Sequence, residues 1–202
     1  MKILSLSILI VGLIPSVLLG GVTVAPTSVS TDMGETTPVA NLINPSDLSP
    51  PYVSGVTDFD TYVASAPTTS NVWLSGAGVL TGNVDFDMGS SMELSSIAIW
   101  NADGFAAVVN FNLIGSNDSG FSSPVSLLSG ATAVDPGPAA YDFSPATVQY
   151  VRMEILSNNS STLFTGMHDV VFEGTAVPEP GTYALIAASL AGAVVIVRRR
   201  MK

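Results

Sequence analysis

Apolar and polar residues alternate in short runs through the middle of the chain. Val84, Phe86 and Met88 alternate with Asp85 and Asp87, the period of a strand with one buried face. Gly89 and two serines end that run. Leu94 to Trp100 reads as a second strand, closed by the turn residues Asn101-Ala102-Asp103-Gly104. Val108 to Ile114 is a third, with Val109, Phe111 and Leu113 on one face. Val125 to Leu128 is a short fourth, and Ala140 to Phe143 a fifth, after the loop Asp135-Pro136-Gly137-Pro138. In Val148 to Leu156, Val151, Met153 and Ile155 face one way, and Tyr150, Arg152 and Glu154 the other. Val170 to Glu173 closes the series. No segment carries a long 3.6-residue period. Strands spaced roughly ten residues apart predict one all-β domain over residues 41–174, an antiparallel sandwich.

The flanks follow other patterns. Lys2 precedes an apolar run from Ile3 to Leu19, then Gly20 and Gly21, which reads as a secretory signal peptide over residues 1–21. Residues 22–40 are Thr-, Ser-, Val- and Pro-rich, with Asp32 and Glu35 as the only charges, and read as a linker. At the other end, Val177-Pro178-Glu179-Pro180-Gly181 precedes the apolar stretch Tyr183 to Val197, and Arg198, Arg199, Arg200 and Lys202 follow. Those 15 residues rise roughly 23 Å as a helix. With Thr182 and snorkelling arginines this bridges a thin bilayer. The reading is a transmembrane helix over 182–197 with a basic tail at 198–202. Trailing cations favour a cytoplasmic end, which places the preceding domain outside.

Composition narrows the function. The chain of 202 residues has 6 Lys+Arg, 16 Asp+Glu and no Cys. Five of the bases lie at the extreme ends, so residues 22–176 carry 15 acids and only Arg152. That balance argues against nucleic-acid binding, which needs a basic footprint. The absence of Cys excludes disulfides, thiolate metal sites and a Cys nucleophile. A single His, His168, excludes a multi-His metal site and leaves a Ser-His-Asp triad little room. The domain therefore reads as non-catalytic.

Two resemblances follow from the motifs. The order Val177, Pro178, Glu179, Pro180, Gly181, short apolar helix and Arg198, Arg199, Arg200 resembles the PEP-CTERM sorting signal. That resemblance implies an exported protein of a Gram-negative bacterium that makes exopolysaccharide. It implies an exosortase-type enzyme as partner, a transient stay in the inner membrane, then the cell surface or extracellular matrix. In the middle, Val84 to Gly89 followed by Leu94 to Asn101 resembles the early strands of discoidin (coagulation factor type C) domains. Phe111 to Asp118, Tyr150 to Ile155 and His168 to Gly174 match later strands in order. The fold implied is the galactose-binding-like jelly roll. The basic residue this family often has after its Trp-Asn turn is replaced here by Gly104-Phe105-Ala106-Ala107.

Clustered carboxylates and loop carbonyls are the ligands calcium prefers, which makes Asp47, Asp58, Asp60 and Asp169 candidates for a structural calcium. The resemblance supports that choice, since Asp169 stands where the family carries a Glu. Flat aromatic rings in loops suit the C–H faces of sugars, which makes Tyr52, Tyr62, Phe105, Phe121 and Phe164 candidates for ligand contact. Trp100 is expected in the core. His168 reads as a hydrogen-bonded residue at a strand edge, Asp85 and Asp87 as a solvated face, and Arg152 as a cross-strand ion pair or a stack on Tyr150. The function expected is a surface-sorted carbohydrate- or exopolysaccharide-binding sandwich. The alternative is a structural matrix or adhesion component without specific glycan binding.

Overall fold

Alternation along Gly82–Asn101 sets the architecture. In the computed structural model, which describes residues 21–134 and 137–177, this segment is one long strand rather than two. Among the described residues thirteen further elements surround it. Those used below are β1 (Val22–Val24), β2 (Ser28–Thr31), β3 (Leu48–Ser49), α1 (Phe59–Ala64), β4 (Thr68–Thr69), β5 (Trp73–Leu74), β6 (Gly82–Asn101), β7 (Val108–Ser116), β8 (Val125–Thr132), β9 (Pro138–Asn158) and β10 (Gly166–Ala176).

β6 and β9 pair antiparallel from Gly82↔Ile155 to Trp100↔Pro138, with register shifts between Asp87 and Met92 and between Leu94 and Ser96. The N-terminal half of β6 also pairs with β2, and its C-terminal half with β10. Strand order is β1-β10-β6-β9-β7-β8. The bend at the register shift folds this network on itself into a sandwich. Gly89 permits the bend: its φ is 78°, and a Cβ there would meet Thr27 at 2.7 Å. The run expected to stop at Gly89 therefore continues around a corner. The same holds for the fifth and sixth expected strands, which are both parts of β9.

The two halves of β6 bury a common core. Val84 and Phe86 pack in one cluster with Ile97, Ile99, Phe111, Val151, Met153 and Phe172. The rings of Phe86 and Phe172 meet edge-on with centroids 5.4 Å apart. Alternation puts Ala98 and Trp100 on the opposite face of β6, where they form a second cluster with Leu48, Tyr52, Phe59, Tyr62 and Val171. The segment from β3 to α1 covers that face. Asp58 caps α1 by accepting a bond from Thr61 N at 2.9 Å, and Phe59 and Tyr62, three residues apart, turn inward.

Residues 22–40 are not a linker. Val22, Thr23 and Val24 pair with Gly174, Glu173 and Phe172, and Ser28 to Thr31 pair with Asp87 to Val84. Val24 and Met33 lie in the core. The strands are too short, and too diluted by Ser, Thr and Pro, to show a period. They become strands because they complete the edges of β10 and β6. The expected signal peptide up to Gly20, the residues Pro178, Glu179, Pro180 and Gly181, the 182–197 segment and Arg198, Arg199 and Arg200 lie outside the described residues. Among the described residues no helix is long and apolar enough to cross a membrane.

Candidate binding cleft and buried carboxylate pair

The loop that joins β6 to β7 turns on the side chain of Asn101. This amide is 2% exposed. Its Nδ2 donates to Val108 O at 2.7 Å and to Val134 O at 3.2 Å. Its Oδ1 accepts from Val108 N at 2.9 Å and Ala102 N at 3.1 Å. Three of the four bonds staple the loop locally and the fourth ties it to Val134 beyond β8, so the Asn101 side chain fixes the loop. The neighbouring loop after β9 adds to it. Asn159 N donates to Ala107 O at 2.8 Å, Ser161 N to Phe105 O at 3.0 Å and Asn159 Nδ2 to Gly104 O at 3.2 Å. Phe105 thus has a pinned backbone, yet its side chain is 75% exposed. An exposed flat ring on a fixed backbone suits the apolar face of a ligand.

The start of the same loop, at Asn101 and Asp103, lines a cleft of about 330 Å³ together with residues 66–69, Trp100, Gly137, Pro138 and His168; Phe105 follows on that loop and is not itself a lining residue. That volume is at the lower end of small-ligand sites, which span about 300–1,000 Å³. The apolar contribution comes from Pro67, Pro138 and the edge of Trp100. Hydroxyls of Thr68 and Thr69, the Asp103 carboxylate and the His168 ring supply polar groups. Trp100 is itself anchored, with Nε1 donating to Pro67 O at 2.9 Å. His168 Nδ1 lies 2.6 Å from Asn71 O. The expected strand-edge hydrogen bond is present, and the same residue also faces the cleft.

The candidate aromatics separate. Phe105 is exposed at this loop end, and Phe164, half-buried, lies on the loop bonded to it. Tyr52 and Tyr62 are 5% and 6% exposed and belong to the second cluster. Their rings meet edge-on at 5.5 Å, and Tyr62 OH donates to Pro50 O at 2.7 Å. They are packing residues, because α1 presses its inner face onto Trp100. Phe121 is also buried. It sits at φ 51°, with the Arg152 guanidinium 4.3 Å from its ring centre. Arg152 forms a two-pronged ion pair with Asp85, at 2.6 and 2.7 Å. The ion pair expected of Arg152 is there, but its aromatic partner is Phe121 rather than Tyr150. Asp85 is accordingly paired rather than merely solvated.

The candidate carboxylates separate too. Asp58 is the exposed cap of α1, its pKa held down by the bond from Thr61, and Asp60 is exposed on the same helix. Asp47 and Asp169 are 6% and 1% exposed, and the Oδ2 atom of each has no hydrogen-bond partner. Asp47 Oδ1 accepts from Asn71 Nδ2 at 2.7 Å. Burial, with the charge of Asp47 added to it, pushes Asp169 up to about 8. Burial is also the main cause raising the phenols of Tyr52 and Tyr62, with the charge of Asp169 second. Two buried carboxylates with orphaned oxygens fit a hard cation in donor type. Two is short of the six to eight oxygens calcium takes, so carbonyls or water must supply the rest. Among the described residues no group of three or more His, Cys, Asp or Glu is placed to hold a metal.

Thr68, Thr69, Asp103, Pro138 and His168 were not apparent as one site in the sequence. They come from separated segments, and only the Trp-Asn turn beside Asp103 marked the place.

Comparison with known proteins agrees with this fold. Residues 176–200 match the PEP-CTERM protein-sorting motif. Among curated protein sequences none matches the chain. The sandwich resembles the CBM32 of AlyQ in complex with 4,5-unsaturated mannuronic acid, at 17% identity and TM-score 0.52, covering 74% of this chain and 96% of that one. It also resembles the family 32 CBM from C. perfringens NanJ in complex with galactose, at 13% identity and TM-score 0.53, covering 75% and 99%. The CBM32-1 and CBM32-2 domains from Clostridium perfringens ZmpB, in complex with GalNAc, align at 11% identity and TM-score 0.51, covering 73% and 33%. The chain has the galactose-binding-like sandwich of these modules, and it carries a C-terminal sorting signal of exported proteins.

Proposed function

We propose that this protein is a surface-sorted, non-catalytic glycan-binding module whose site is the cleft at Asp103, with Phe105 exposed on the same loop. The observation that carries the proposal is the conjunction, on one hydrogen-bonded loop, of an exposed aromatic ring and a polar cleft. A sugar would lay its C–H face on Phe105 and direct hydroxyls to Asp103, Thr68, Thr69 and His168. Charge narrows the sugar class. Arg152, the only Lys or Arg between Lys2 and Arg198, is bound to Asp85. No free guanidinium or ammonium of the sandwich is left to receive a uronate, so the ligand is an uncharged glycan.

A calcium ion, where present, would be held by Asp47 and Asp169 and would supply the positive charge that lets both stay ionised. Asp47 also receives the Asn71 side chain, and Asn71 O meets His168. The pair therefore braces one wall of the cleft. The tail motif beginning at Val177 would be read by an exosortase-type enzyme, which gives the module its place at the cell surface.

A glycan array probed with the exported protein, with calcium present, tests the proposal. Binding to neutral hexose polymers but not to polyuronates is expected. Absence of binding to every glycan would reject it and leave a structural role in an extracellular matrix.

A further inference from the structure

We infer that the outer face of the sheet formed by β2, the first half of β6 and the second half of β9 carries a second glycan site, a hollow that takes one uncharged sugar residue. The class of ligand rests on the glycan reading of the cleft. The hollow and the cleft share no lining residue.

Alternation creates the face. Val84, Phe86 and Met88 turn into the core, so Asp85 and Asp87 turn outward. Register then lays polar residues in rows across the strands. Ser30, Asp85 and Arg152 make one row, and Ser28, Asp87 and Tyr150 the next. On the rest of this face the polar side chains satisfy one another. Asn83 Nδ2 donates to Asp32 Oδ2 at 2.7 Å, Asn112 Nδ2 donates to Glu154 Oε2 at 3.0 Å, and Arg152 holds both oxygens of Asp85. The row of Ser28, Asp87 and Tyr150 breaks that pattern. Asp87 receives Gly89 N at 2.7 Å and Gln149 Nε2 at 3.2 Å, both on Oδ1, which leaves Oδ2 open. Tyr150 OH accepts from Gln149 Nε2 at 3.1 Å and keeps its own proton to give. Ser28 and Ser30 are exposed on the edge strand.

These groups line a hollow of about 190 Å³, together with Ser119 and Phe121 from the loop after β7. That loop is fixed. Asp118 Oδ1 accepts from Gly120 N at 3.2 Å, and its Oδ2 accepts from Ser122 N at 2.9 Å and Ser122 Oγ at 2.6 Å. Phe121 N donates to Asp118 O at 3.0 Å, and the Phe121 ring packs on the Arg152 guanidinium. Phe121 is held at φ 51°, a left-handed conformation that a bulky side chain disfavours. The conformation sets an aromatic wall beside the open row.

The lining decides the ligand. Asp85 and Arg152 offset each other, so one negative charge remains, on Asp87, and two N–H donors already meet it. An anion is repelled, and an ammonium is not required. A wholly apolar group would strand the carboxylate and the hydroxyls. A polyol fits, because each of its hydroxyls both donates and accepts. A volume below the roughly 300 Å³ of ordinary small-ligand sites suits a single sugar ring. With the cleft on the other half of β6, one module would hold two glycan chains and gain avidity for a polymer.

Isothermal titration of the full chain with tetrasaccharides of galactan, glucan, mannan, chitosan and polymannuronate tests this. The wild type should take up two equivalents of a neutral tetrasaccharide. The combined variant Ser28→Ala, Ser119→Ala, Tyr150→Phe removes only three oxygens. It should weaken one binding event by about tenfold or more, while Phe105→Ala weakens the other. A combined variant that binds both equivalents as the wild type does overturns the hollow and leaves the cleft standing. So does a single equivalent in the wild type that Phe105→Ala abolishes. A combined variant that loses only chitosan or polymannuronate binding overturns the uncharged class. Absence of binding by the wild type to the whole panel overturns the hollow and the cleft together. If the combined variant loses its cooperative melt, Ser30→Tyr, which fills the hollow from an exposed position, is read by the same outcomes.

Discussion

Asp169 lies buried beside Asp47 with one oxygen unpartnered, and its pKa is pushed up to about 8. Because the folded-state value lies above the unfolded one, the unfolded chain loses this proton first as pH rises. Without metal, stability from this group is full below about pH 4, falls between about 4 and 8, and levels off above. Tyr52 and Tyr62 are the titratable groups that feel its charge, and the charge of Asp47 acts on Asp169 in the same direction as burial. Calcium should reverse the trend, raising Tm more at pH 8 than at pH 5. Thermal melting of the wild type and Asp169→Asn, with calcium and with a chelator, checks this. The variant should show neither the metal-free decline nor the calcium shift. Arg152 makes a second residue-scale prediction. It pairs with Asp85 and stacks on Phe121, so Arg152→Ala should cost about 1–2 kcal/mol in urea unfolding. Glycan binding by the cleft should be unchanged, because neither contact belongs to it. Sequence alone could not sort the aromatics at this scale. Tyr52, Tyr62, Phe121 and Phe105 all look like loop residues. Only the docking of α1 on Trp100, and of Phe121 on Arg152, separates the buried ones from the exposed one.

Among the elements, strands with clean alternation were legible. Val84-Phe86-Met88, Ile97-Ile99 and Val151-Met153-Ile155 all face the core as their period requires. Two features escaped. The corner at Gly89 reads as an end in one dimension, and is a bend only because β9 bends with it. β1 and β2 have too few residues to show a period, and exist because β10 and β6 offer them edges. Removing residues 22–31 should therefore strip Val24 from the core and open two strand edges. The truncated protein should aggregate on expression, while circular dichroism of the intact sandwich shows a cooperative melt. The segment bearing α1 has a double role. Phe59 is fully buried in the cluster with Trp100, whose ring lines the cleft. Phe59→Ala should destabilise by about 3–5 kcal/mol and weaken glycan binding without touching a sugar.

For the whole molecule, charge and chain ends decide the role. Apolar residues gather in the two ends of the chain, and acids in the sandwich. That distribution was legible from the first residue to the last, and with it the sorting signal. The cleft was not, since it joins residues from 66–69, 100–103, 137–138 and 168 that only the closed sandwich brings together. Isothermal titration of the protein and its Phe105→Ala variant with a neutral polysaccharide is the measurement closest to the central claim. Binding by the wild type, weakened about tenfold or more in the variant at unchanged Tm, is the predicted result. Equal affinities for the two proteins, or binding that favours a polyuronate, would contradict it.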